Sequence, residues 1–127
     1  MTATVGMESL VDAHATLAWA VLAGNGAAAV WALAAHRLPV LRARALWWFV
    51  LVAQLLLVAE IVVGVVLMAG GGRDVPGIHT FYGFVTLAAI GILFSYRTQV
   101  GRRRHYLLYG WGGLFIVGLI VRTMIIG

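Results

Sequence analysis

The sequence predicts an all-α integral membrane protein, an antiparallel four-helix bundle with both termini outside. Three observations carry this expectation: an apolar composition, four apolar runs of spanning length, and arginines confined to alternate connectors. Of 127 residues, 63% are hydrophobic and 10% are charged, with a mean hydropathy of +1.01. Soluble domains average about half apolar and a quarter charged. The four runs extend from about Leu10 to Ala35, Ala45 to Ala69, Gly77 to Tyr96 and Tyr106 to Ile126. Each is roughly 20 residues or longer, enough to cross a hydrocarbon core of about 30 Å. Backbone groups in lipid must be satisfied within the segment, and the alternation of a barrel strand is absent, so the runs are read as helices. The length suits one domain, residues 1–127, with no room for a soluble one.

The first segment, MTATVGMESLVDAHA, has no basic n-region and carries Glu8 and Asp12, so the first run is read as a retained helix rather than a cleaved signal. The connector that follows, His36 to Arg44, contains Arg37, Arg42 and Arg44, and Pro39 ends the preceding helix. The second connector, Gly70 to Pro76, is glycine-rich and nearly neutral. The third holds Arg97, Arg102, Arg103 and Arg104. Seven of nine arginines therefore fall on one side, which the positive-inside rule makes cytoplasmic, in an inner (plasma) membrane crossed four times. Trp47, Trp48, Tyr96, Tyr106 and Tyr109 suit an aromatic belt at that interface. Short connectors predict that sequence neighbours pack antiparallel. Gly24, Ala28, Gly64, Gly83, Gly110, Gly113 and Gly118 are expected to let helices approach closely. Spans one and three share an outer-end His and an arginine-rich connector, a faint internal repeat.

With no cysteine, the chain has no disulfide, thiolate metal site, c-type haem attachment or Cys nucleophile. The basic balance belongs to topology rather than to nucleic acid. Chemistry must then come from the ionisable groups in the spans, which membrane helices rarely carry without use. His14 lies about one turn into span one and His79 within about one turn of the start of span three. Both spans run from outside to inside and would sit diagonally across an up-down bundle. Two imidazoles at similar depth can hold one haem iron from opposite faces. Gly83, one turn after His79, would leave room for a flat macrocycle, and Ala18, Val21 and Asn25 continue the His14 face. The alternative is that His14 hydrogen-bonds a neighbouring helix and His79 sits among headgroups. Zinc normally takes four ligands, and only Glu60 or Asp12 is placed to add to the pair.

Glu60 is the one acid well inside a span, about 13 Å deep, and Gly64 shares its face. Its readings are a proton relay, a cofactor contact, or a protonated carboxyl bonded across the bundle. Gln54 is expected to bond another helix. Arg122, near the outer end of span four, either snorkels to headgroups or serves as a counter-ion to haem propionates, with Arg73 as a second candidate. His36 and His105 flank arginines and read as interfacial.

The order of these features resembles one four-helix half of a heme A synthase. In that family a half pairs an outer His on its first helix with another on its third, positions matched here by His14 and His79. The family's second helix often reads Gln, an apolar run, then Gly. This chain has Gln54 to Gly64, then Gly70-Gly71-Gly72, then His79. The resemblance spans most of the chain in architecture and implies haem-ligand roles for the two histidines. Three features depart from the family: Val11 stands where a catalytic Glu is expected, the outer-loop cysteine pair is absent, and there are four helices rather than eight. The oxygenase activity is therefore not carried over.

The expectation from sequence is a cytochrome b-like protein with haem b held near the outer face by His14 and His79, with contacts from Gly83, Glu60 and Arg122, for electron transfer or haem handling. The alternative is a cofactor-free accessory subunit. The partners expected are the lipid bilayer and a homo-oligomer or respiratory-type membrane complex. A small transporter or channel is the third class, but four-span exporters use a Glu on the first span, and Glu60 is on the second.

Overall fold

A computed structural model describes residues 2–70 and 77–126 of the chain, with side-chain surroundings from Ser9 onward except at Arg102 and Arg103. The described residues form four α-helices and one short 3-10 turn: α1 (Thr2–Arg37), the turn at Pro39–Leu41, α2 (Arg44–Ala69), α3 (Gly77–Tyr96) and α4 (Arg102–Ile126). All four helices are long and apolar enough to cross a membrane.

Two helices start earlier than the apolar runs. α1 begins at Thr2 rather than Leu10, and α4 at Arg102 rather than Tyr106. Hydropathy marks where a helix meets lipid, whereas a helix continues until a residue stops it. No proline or glycine pair interrupts residues 2–9, and the first turn of α4 closes on Gly101, whose carbonyl accepts from the N–H of Arg104 and of His105. α1 has 36 residues and is about 54 Å long at 1.5 Å per residue, so it projects beyond a hydrocarbon core. His14 is thus well inside α1, not in its first turn.

The first connector is tightly tied. Leu38, before Pro39, adopts an extended conformation (φ −110°, ψ 102°), as the proline ring requires. The Arg42 guanidinium donates to the carbonyls of Ala35 and His36, both at 2.7 Å, filling acceptors that the end of α1 leaves open. The Trp31 indole donates to Leu41 O at 2.9 Å. Nearby, Trp47 stacks against Tyr106 and Tyr109, so the expected aromatic belt is partly a packed cluster that joins α2 to α4. His105 sits edge-on to Trp47 and its ring contacts Arg97 O.

α1 packs against α2 and most extensively against α4; α3 packs against α4. α1 and α3 do not touch and lie diagonally, as expected. α2 and α3 meet as expected of sequence neighbours, but more sparsely than the other packed helix pairs, and both border a cavity. The close approaches are made by small residues. A Cβ on Gly113 would fall 2.9 Å from Ala29 Cβ, and one on Gly112 would strike Leu93. Gly24 faces Ala53, and Gly110 faces Leu33. Gly83 and Gly118 have open space where a Cβ would be, so neither serves helix contact. Two apolar cores fill the bundle, one around Val21, Leu57, Leu93, Ile116 and Ile120, the other around Ala28, Ala32, Ala35, Leu46 and Val50. Between them Asn25, buried, donates to Ala53 O at 3.1 Å on α2 and to Val21 O at 2.9 Å on its own helix.

Candidate functional site

The cavity has a volume of about 470 Å³, within the usual range of about 300–1,000 Å³ for cofactor and ligand sites. All four helices contribute to its wall. It lies near the end of the bundle away from the arginine-rich connectors. Glu60 is sixteen residues from Arg44, about 24 Å along α2, and Thr123 belongs to the last turn of α4.

His14 and His79 both line this cavity, one from α1 and one from α3. Their surroundings differ. His14 Nδ1 is 2.7 Å from Glu60 Oε1 on α2. Both atoms are buried, and among the described residues neither has a hydrogen bond of regular geometry, so the two polar atoms face only each other. Glu60 is 8% exposed, which explains why an acid at this depth needs a partner. Gly64, one turn along α2, makes room for the ring: a Cβ there would lie 3.2 Å from His14 Cε1. His79 Nδ1 donates to the Thr123 carbonyl oxygen at 2.8 Å. A carbonyl can only accept, so Nδ1 carries the proton and Nε2 keeps its lone pair.

At His14 the same ring nitrogen, Nδ1, faces a partner on another helix, the Glu60 carboxyl group. In both rings it is Nδ1 rather than Nε2 that meets that partner. Metal-binding histidines commonly have their other nitrogen so placed. The remaining wall is apolar or small. Ala18, Val21, Leu57 and Ile120 line it, and buried Thr86 turns its hydroxyl back to Tyr82 O at 2.7 Å. Gly83 borders the cavity with nothing within 4 Å of a Cβ position. Among the described residues no group of three or more His, Cys, Asp or Glu is placed to hold a metal ion. A haem iron needs only two protein ligands, and the residues present fit one.

Of the residues singled out from sequence, the fold brings His14, Glu60, Gly64, His79 and Gly83 to one cavity. Arg122 is exposed and does not line it, which suits snorkelling better than a counter-ion role. Arg73 falls outside the described residues. Asp12 is exposed and stands apart from the cavity wall. Gln54 makes no hydrogen bond to another helix among the described residues; the neighbouring carbonyl of Ala53 takes that part, paired with Asn25. Thr123 was not foreseen, because its contribution is a backbone carbonyl. A backbone carbonyl carries no residue-type signal by which the sequence could have marked it. The chain matches no protein-family model, no curated protein and no solved structure.

Proposed function

We propose that this protein binds one b-type haem in the cavity between α1 and α3, with His14 and His79 as axial ligands, for electron transfer or haem handling near the outer face of the membrane. The observation that carries the reading is the pair of imidazoles lining one cavity from two helices, each with Nδ1 against an oxygen of a neighbouring helix. Gly83 leaves open space at the cavity, and the rest of its wall is largely apolar, which suits a macrocycle. A bound haem supplies one-electron redox chemistry; the chain's part is to hold and orient its ligands. The resemblance to half of a heme A synthase supports the same pairing. The arginine asymmetry supports cytoplasmic connectors at the opposite end.

The test is a reduced-minus-oxidised absorbance spectrum of the protein purified in detergent after expression with added haem precursor. A Soret band and an α band at one haem per chain are expected. Their absence, with haem also supplied to the purified protein, overturns the reading.

A further inference from the structure

Two unlike partners hold the two histidines. His79 is held by a neutral backbone carbonyl, His14 by a buried side-chain carboxyl group. The second arrangement uses two positions one turn apart on α2. Glu60 meets the ring at Nδ1, and Gly64 clears the space beside Cε1. Residues four apart share a helix face, so α2 presents a socket shaped for one imidazole. The socket does two things to His14. It restricts ring rotation, and a carboxylate there, accepting from Nδ1–H, would raise the electron density at Nε2.

We infer that Glu60 is the positioning residue for His14, making the two ligands unequal and His14 the stronger electron donor. This rests on the haem reading above. A more basic axial ligand favours ferric over ferrous iron, so the Glu60 carboxylate lowers the reduction potential of the site. Glu60 acts only through His14.

The experiment compares wild type, Glu60→Gln, Glu60→Ala and Gly64→Ala, each as the full chain in detergent, by titration with haem and by potentiometry. Glu60→Gln keeps an acceptor for Nδ1 but removes the carboxylate. One haem per chain, an unchanged Soret position and a higher midpoint potential are expected. Glu60→Ala removes the acceptor, and a 10–100-fold loss of haem affinity is expected, the usual range for losing such a partner. Gly64→Ala leaves Glu60 in place but crowds the ring, and weaker haem retention is expected. If Glu60→Ala fails to accumulate, the other two variants decide. Glu60→Gln with wild-type potential, or Gly64→Ala with wild-type retention, overturns the inference while the haem reading stands. Wild type without a haem spectrum overturns both.

Discussion

His79 ties the first turn of α3 to the last turn of α4: its Nδ1 donates to the Thr123 carbonyl oxygen at 2.8 Å. The bond engages Nδ1 and so sets which ring nitrogen is left toward the cavity. His79→Ala removes both effects. Haem spectra of this variant are expected to lose the low-spin bis-histidine form, as are those of His14→Ala. Faster amide exchange in the first turn of α3 is expected only for His79→Ala. Equal exchange in the two variants counts against the tie.

Gly83 borders the cavity and takes no part in the packing of the bundle: nothing lies within 4 Å of a Cβ placed there. Gly83→Ala is expected to fold as well as wild type or better, since alanine gains about 0.5–1 kcal/mol over glycine inside a helix. Gly83→Phe is expected to fold but to bind haem at least tenfold more weakly. Thermal unfolding in detergent and haem titration read the two effects separately. Wild-type affinity in the phenylalanine variant places the haem elsewhere.

Gly113 has the opposite role. A Cβ there falls 2.9 Å from Ala29 Cβ and 3.5 Å from Ala29 Cα, and neither atom can swing aside. Gly113→Ala forces α1 and α4 apart, with an expected loss of about 1–3 kcal/mol, the range for overpacking. Gly118→Ala on the same helix meets open space and serves as the control. Denaturant unfolding of both in detergent should show destabilisation at Gly113 alone.

Asn25 bridges α1 to α2 through its 3.1 Å bond to Ala53 O. Asn25→Leu keeps the branched shape and the number of side-chain heavy atoms and removes the donor. A cost of roughly 0.6–1.7 kcal/mol is expected, as for other interhelical hydrogen bonds in membrane bundles. A variant as stable as wild type, measured by the same unfolding, shows that packing alone holds the α1–α2 contact.

How much of this was legible beforehand differs by element. The bounds of α2 and α3 were readable within a residue, since Pro39, the arginine connector and the glycine run stop the apolar text where the helices stop. The early starts of α1 and α4 were not, because polar residues such as Arg102 to Arg104 carry no hydropathy signal while remaining good helix formers. The diagonal placement of α1 and α3 followed from connector length. The sparse contact between α2 and α3 did not, because lipid supplies no hydrophobic drive to pair helices and small-residue packing chooses the partners.

The sequence by itself determined four spanning helices, their alternation, and two histidines on the two that run parallel. Only the tertiary structure decided that Glu60 meets His14, that Thr123 holds His79, and that Arg122 stays outside the cavity. The physical reason is register. Spans follow from composition along one helix, whereas a 2.7 Å contact between two helices depends on their relative height and rotation. Those are set by close approaches such as Gly113 on Ala29 and by the bond from Asn25 to Ala53.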